Sequence, residues 1–104
     1  AAEMAFAGRV GLDLTLDLAQ LPSDRQLDLV TALFAESPSR YLLEVAPEHI
    51  DATFRALRDA GAPFGQVGVF AEHDRLTLRS DRDGRVLDAS LDALRQAWQA
   101  PLDW

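Results

Sequence analysis

The chain has 104 residues, a formal net charge of -7 and no cysteine. This length fits one domain with a modest core, and the lack of cysteine excludes disulfide frameworks and thiolate metal sites. The acidic balance argues against bulk electrostatic binding of nucleic acid, and no apolar run is long enough to cross a membrane.

The start of the chain predicts a short helix followed by a strand. Residues 1–7 are typical of the end of a helix, and Gly8 favours a left-handed C-cap. Because an isolated helix needs roughly 12 residues, we expect the chain to begin inside an element of something longer. Leucines alternate with polar residues over 11–18, and this period of two predicts a strand with one solvated face.

A capping box and helical periodicity predict a second helix. Ser23 and Gln26 have the spacing with which two side chains satisfy backbone N–H groups at a helix start. Leu27, Val30 and Phe34 follow at helical spacing, so we expect them to form its buried stripe.

The middle of the chain predicts a strand and a third helix. Residues 41–45 form an apolar, β-favouring run, which indicates a central strand. Pro47 suits the first turn of a helix, and Gly61 is typical of its end. The expected buried stripe of this helix is Ile50, Phe54 and Leu57.

The last part predicts three strands and a helix. Residues 64–70 and 75–79 have strand character, and the turn that ends at Gly84 leads into a return strand over 85–88. Ser90 then has the residue type of an N-cap. The expected inner face of the final helix carries Leu91, Leu94 and Trp98.

The element order α-β-α-β-α-β-β-β-α predicts an α+β fold. We expect a two-layer sandwich, in which helices pack on one face of a mixed sheet. Aromatic side chains carry the largest buried areas, so we expect most of them to fill the core. The expected core aromatics are Phe6, Phe34, Tyr41, Phe54, Phe64, Phe70 and Trp98.

Neither a metal site nor a catalytic residue is predicted. His49 and His73 are not spaced as a metal pair, and we expect both to be solvated because neither has an evident positioned partner. Asp81, Asp83 and Asp88 lack the spacing of a calcium loop and are expected as turn and surface carboxylates.

One polar segment, just before the strand predicted at 41–45, has the chemistry of a binding site. Arg40 can grip a phosphate bidentately, and the hydroxyls of Ser37 and Ser39 can donate to phosphate or sugar oxygens. The alternative is an ordinary polar loop in which Glu36 and Arg40 form a local ion pair. The residues alone favour neither interpretation.

Four segments in chain order carry a resemblance: AEMAFAGRVGLDLTLDL, LFAESPSRYLLEVAPEH, PFGQVGVFAEHDRLTLR and LDALRQAWQAPLDW. Together they resemble the C-terminal end of the phosphoribosylformylglycinamidine synthase family, within the aminoimidazole ribonucleotide synthetase-like superfamily. The resemblance implies a partly ferredoxin-like C-terminal domain. It also implies a parent enzyme that converts formylglycinamide ribonucleotide to the amidine through an iminophosphate, with ATP, magnesium and glutamine-derived ammonia.

The same resemblance implies what this chain contributes. Residues 1–104 are expected to be a single C-terminal domain fragment that lacks the upstream ATP-binding domain, binds no cofactor and catalyses nothing alone. The implied partners are that upstream domain, a glutaminase component and the ribonucleotide, with no nucleic acid or membrane, in the cytoplasm.

The resemblance also implies a substrate-binding role for part of the polar segment. The positions that carry it over are Glu36, Ser37, Ser39 and Arg40. The family often has Gly where Ser39 stands and Ser where Ala35 stands, so the match is incomplete.

Two other functions fit the residues. One is a non-catalytic α/β module that senses an amino acid or nucleotide. The other is a related ATP-dependent synthetase or kinase of the same superfamily, because a fold does not fix its chemistry.

Overall fold

The structure is a computed structural model that describes residues 1–18, 28–36, 38 and 40–102, and the chain separates into two compact units. The first unit contains Ala1–Asp17 and Val67–Trp104, and the second contains Leu18–Gln66. The elements of the first unit are helix α1 (Ala2–Gly8), strands β1 (Gly11–Leu16), β2 (Gly68–Ala71), β3 (Arg75–Ser80) and β4 (Gly84–Ser90), helix α4 (Leu91–Gln99) and a 3₁₀ turn (Ala100–Leu102). The elements of the second unit are helices α2 (Leu29–Phe34) and α3 (Ile50–Asp59) and a 3₁₀ turn (Pro47–His49).

The strands of the first unit form one mixed sheet in the order β2-β1-β3-β4. β1 is parallel to β3, and the other two pairings are antiparallel. Alternation puts Leu12 beside Leu76 and Leu14 beside Leu78, so one face of the sheet is apolar. Ala5 of α1 and the first residue of α4 are buried with this face. The predicted α+β fold with a mixed sheet is therefore confirmed.

Local sequence signals correctly predict the C-terminal hairpin and the start of helix α4. Gly84 adopts a φ of 71° at the end of the hairpin turn, a conformation that favours glycine. The Ser90 hydroxyl accepts a hydrogen bond from the backbone N–H of Ala93 at 3.2 Å and caps α4. The rings of Phe6 and Trp98 pack with centroids 5.8 Å apart, which joins α1 to α4.

A β-bulge interrupts the pairing of β3 with β4. Leu78 is opposite Leu87, and the next residue of β3, Arg79, is opposite Arg85. Val86 is therefore the extra residue of the bulge. Because side chains alternate between faces, the bulge returns Arg85 to the face that Arg79 occupies. Regular pairing would have placed Arg85 on the leucine face.

Three predictions for the first unit are corrected. The left-handed residue that ends α1 is Arg9, with a φ of 53°, and not Gly8, because the Arg9 N–H bonds the carbonyl of Ala5. The strand expected over 64–70 is shorter and spans Gly68–Ala71. Trp98 packs on Phe6 but is 49% exposed, since it lies at the rim of the small core.

The second unit contains the largest correction. Residues 41–45 form no strand, and Tyr41 and Leu43 are 83% and 63% exposed. The prediction of a central strand is wrong, because strand propensity alone does not supply a partner strand to pair with. Phe34 is also exposed, so the core prediction fails there as well as at Tyr41.

The helices of the second unit follow their end signals. Asp28 caps α2 by accepting hydrogen bonds from the backbone N–H and the hydroxyl of Thr31, at 3.0 and 2.6 Å. The predicted capping box of Ser23 and Gln26 lies outside the described residues. The expected stripe of α3 is half-buried, and the ring of Phe54 packs 4.9 Å from that of Phe64. Across the described ranges, no helix is sufficiently long and apolar to span a bilayer.

Candidate functional site

The structure describes two of the four predicted substrate-binding residues. Glu36 and Arg40 are both exposed, whereas Ser37 and Ser39 lie outside the described residues. No ion pair joins Glu36 to Arg40, so the alternative of a local pair between them is wrong. The substrate-binding role of all four residues stays a prediction.

Arg40 has a structural contact of its own. Its guanidinium donates hydrogen bonds to the backbone carbonyls of Ala35, at 3.1 Å, and Ala32, at 2.6 Å. The last carbonyls of a helix lack partners within the helix, and a cation there also interacts favourably with the helix dipole. Arg40 therefore stabilises the end of α2. A guanidinium has five N–H donors, so donors remain available to an anion.

A denser cluster of polar side chains lies on the sheet face opposite the leucines. The pairing register arranges it in two rows that run across β1, β3 and β4. The acidic row consists of Asp13, Thr77 and Asp88. The basic row consists of Thr15, Arg79 and Arg85. Neighbouring residues on one face of a strand are about 6.6 Å apart, so the two rows lie side by side.

Asp13 of the acidic row has bonds at both of its carboxylate oxygens. The Thr77 hydroxyl donates to its Oδ1 at 2.6 Å, and Nε2 of His73 lies 3.1 Å from its Oδ2. The hydrogen bond from Thr77 lowers the pKa of Asp13, and the hydrogen bond from His73 lowers it further. The Asp13 carboxylate is thus held in its ionised form.

His73 uses both of its ring nitrogens. The backbone N–H of Arg75 donates to Nδ1 at 3.3 Å, so the proton of the neutral ring belongs on Nε2, which donates to Asp13. The Asp13–His73 pair therefore fastens the turn before β3 to strand β1.

Sequence reasoning missed this contact. His73 is an exposed residue, as expected, but its ring bonds Asp13, which is 60 residues away in the chain. The one available signal was the place of Asp13 on the solvated side of the predicted strand. No spacing rule connects that position to a turn residue so distant in sequence.

Asp88 is held between two arginines. Nε of Arg75 lies 2.5 Å from its Oδ1, and Nη1 of Arg85 lies 2.9 Å from its Oδ2. The hydrogen bond from Arg75 is the main cause of the lowered pKa of Asp88. Both carboxylates of the acidic row are therefore already paired within the fold.

A depression of about 330 Å³ covers part of both rows. It is lined by Asp13, Leu14, Thr15, Thr77, Arg79 and Arg85. The side chain of Arg79 makes no hydrogen bond or ion pair to any other described residue. Within the described ranges, no group of three or more His, Asp or Glu side chains has a geometry that fits a metal ion. The residues of this depression therefore fit an anion rather than magnesium.

The sequence places the chain in a known class of domain. A family model for the C-terminal domain of AIR synthase related proteins matches residues 1–81, and the chain belongs to this family. The predicted resemblance at the level of the superfamily is thereby confirmed. No solved structure matches the chain.

The similar curated proteins share one printed name, phosphoribosylformylglycinamidine synthase subunit PurL. The chain is 34% identical to the subunit of Deinococcus radiodurans over 101 residues, 33% to that of Synechocystis sp. over 102, and 32% to that of Corynebacterium ammoniagenes over 100. These alignments cover 96–97% of the chain. They cover only 12–13% of the relatives, so the chain spans a small part of their length.

Proposed function

We propose that this chain acts as the C-terminal domain of an ATP-dependent phosphoribosylformylglycinamidine synthase in purine biosynthesis. The observation that supports this most strongly is the 34% identity to the PurL subunit of Deinococcus radiodurans over 97% of the chain. The family match over residues 1–81 supports the same conclusion independently.

The parent protein would be a carbon–nitrogen ligase of the cytoplasm. It would activate the amide oxygen of formylglycinamide ribonucleotide with ATP, and ammonia would then displace phosphate to give the amidine. A glutaminase component would supply the ammonia, and the rest of the parent would bind ATP and magnesium. This domain would contribute one wall of the ribonucleotide cleft and no catalytic residue.

Within that wall we assign ribonucleotide binding to Glu36, Ser37, Ser39 and Arg40. Arg40 supports the assignment because its guanidinium is exposed and retains donors beyond the two that bond the end of α2. Anchoring one edge of a guanidinium to backbone carbonyls also fixes the direction of its other donors, which favours bidentate binding of phosphate.

The test is Arg40→Ala and Arg40→Lys in the full-length parent protein, with Arg58→Ala as the matched control. Arg58 is an exposed arginine of α3 whose side chain makes no hydrogen bond or ion pair to another described residue. We expect Arg40→Ala to raise the KM for the ribonucleotide about tenfold or more, because a charge-assisted hydrogen bond is lost. The KM of Arg40→Lys should lie between those of the unaltered protein and Arg40→Ala, since a lysine keeps the charge but lacks the planar guanidinium.

Thermal unfolding separates this role from the structural one. A raised KM with an unchanged melting temperature supports ribonucleotide binding by Arg40. A lowered melting temperature with an unchanged KM would restrict Arg40 to the end of α2 and remove it from the site.

A further inference from the structure

The bulge in β4 brings two guanidinium groups together. Arg79 and Arg85 are cross-strand neighbours on the polar face, because Val86 is the extra residue between Leu87 and Arg85. Like charges directly opposite each other in a sheet destabilise it unless something neutralises them. In a chain of net charge -7, this pairing is a local concentration of positive charge that the overall composition does not predict.

The two arginines differ in how much of their charge the fold neutralises. Arg85 shares Asp88 with Arg75, through a single bond from its Nη1, so its other donors remain available. Arg79 is exposed, and its side chain makes no hydrogen bond or ion pair to another described residue. The basic row thus presents two guanidiniums, and of these only Arg85 bonds a carboxylate, Asp88, which it shares with Arg75.

The third member of the basic row adds a hydroxyl. Thr15 lies beside Arg79 in the parallel register, and its side chain bonds no described residue. The hydroxyl of the neighbouring Thr77 already donates its hydrogen bond to Asp13. Thr15 therefore supplies the hydroxyl donor beside the two guanidiniums, which is the set of donors that phosphate oxygens accept from most readily.

We propose that the basic row, Thr15, Arg79 and Arg85, binds the phosphoryl group of a small phosphate monoester in the depression on this sheet face. The depression of about 330 Å³ is at the small end of ligand sites, which suits a phosphate with a short sugar or alcohol attached. This site is formed within the first unit alone, and it does not involve residues 36–40.

The carboxylate of Asp13 lines the same depression and opposes an anion there. Both of its oxygens accept hydrogen bonds, from Thr77 and His73, which orient the carboxylate towards those partners. It also lies one row away, about 6.6 Å along the strand from Thr15. An anion bound at the basic row would share that row with two arginines and lie one row away from this carboxylate.

The test is a nitrogen-15 NMR titration of the 104-residue chain with inorganic phosphate, ribose 5-phosphate and sodium chloride at constant ionic strength. We expect saturable shifts for both phosphate compounds at Thr15, Arg79 and Arg85, with ribose 5-phosphate at least as tight as inorganic phosphate. Chloride should produce no saturable shift. Binding of inorganic phosphate without ribose 5-phosphate would overturn the proposal of a monoester site.

Variants assign the binding to these residues. Arg79→Ala should weaken binding of ribose 5-phosphate about tenfold or more, whereas Arg58→Ala, which removes the same charge from α3, should leave it unchanged. Arg79→Lys and Thr15→Val, which preserve the charge and the volume respectively, should each weaken it and keep the proposal testable if Arg79→Ala fails to fold. Equal weakening by Arg79→Ala and Arg58→Ala would mean attraction by net charge alone and would overturn the site. Because no turnover is measured, failure here leaves the ribonucleotide role of Arg40 unaffected.

Discussion

The imidazole of His73 lies directly against the backbone of Gly11, where a Cβ at position 11 would overlap the ring and would stand 2.5 Å from the His73 carbonyl oxygen. Only glycine permits this approach. The contact places Nε2 of His73 within 3.1 Å of Asp13, two residues further along β1. The turn that leads into β3 is therefore fastened to β1 by a close approach and a hydrogen bond together.

Gly11→Ala should destabilise the fold because the added methyl group must displace the His73 turn. Overpacking of this kind costs about 1–3 kcal/mol, which urea unfolding measures directly. Gly8→Ala is the control, because a Cβ at this last residue of α1 would make only an ordinary 3.4 Å contact with the side chain of Val10. We expect that control to be neutral or slightly stabilising. Equal stability of Gly11→Ala and the unaltered chain would contradict the close approach.

Asp13→Asn should reduce the sensitivity of the fold to acid. The hydrogen bonds from Thr77 and His73 lower the pKa of Asp13 below 3.8. The ionised carboxylate therefore stabilises the folded state above about pH 4, and this contribution is lost as the pH falls through the folded pKa. Urea unfolding at a series of pH values should show the variant less stable near neutrality, with the difference from the unaltered chain closing as the pH falls below about 4.

Asp59→Asn is the control for the acid experiment. Asp59 ends α3, and its side chain makes no hydrogen bond or ion pair to another described residue. Removal of a carboxylate in general is thereby separated from removal of the bonded one. A difference for Asp13→Asn that is as large in acid as at neutral pH would show that its ionisation is not what stabilises the fold.

Ser90→Ala should lower the free energy of unfolding by about 1 kcal/mol, because the N–H of Ala93 loses its acceptor. Ser90→Gly should lower the free energy of unfolding by only a few tenths of a kcal/mol, since glycine is tolerated at an N-cap. Leu91 of the same helix is buried in the core, so urea unfolding of the whole first unit should report the loss. No difference between the Ala variant and the unaltered chain would mean that the cap is not formed in solution.

The parts of the fold that the sequence predicts are those with a local cause. Strands β1 and β3 follow from leucine alternation, the hairpin from Gly84, and the start of α4 from Ser90. Residues 41–45 have the same local character as a strand but form none, because a strand also needs a partner, which propensity does not supply. Arg9 shows a similar limit, since carbonyl bonding outweighs the usual preference for glycine in a left-handed cap.

The candidate sites divide along the same line. The polar segment around Arg40 is continuous in sequence and could be picked out there, although the bonds of Arg40 to α2 could not. The basic row joins residues from three strands, and its formation depends on the bulge at Val86. Strict alternation would have assigned Arg79 and Arg85 to opposite faces, so no reading of the sequence alone brings them together.

The central claim is that this chain serves as the C-terminal domain of a PurL-type synthase, and a chimera tests it most directly. The chain would replace the matching 13% of the Deinococcus radiodurans PurL subunit, and ammonia-dependent formation of the amidine would be measured. We expect turnover within about tenfold of the unaltered subunit, a barrier change of no more than about 1.4 kcal/mol, while deletion of the segment abolishes turnover. A chimera that folds like the unaltered subunit but forms no amidine would contradict the claim.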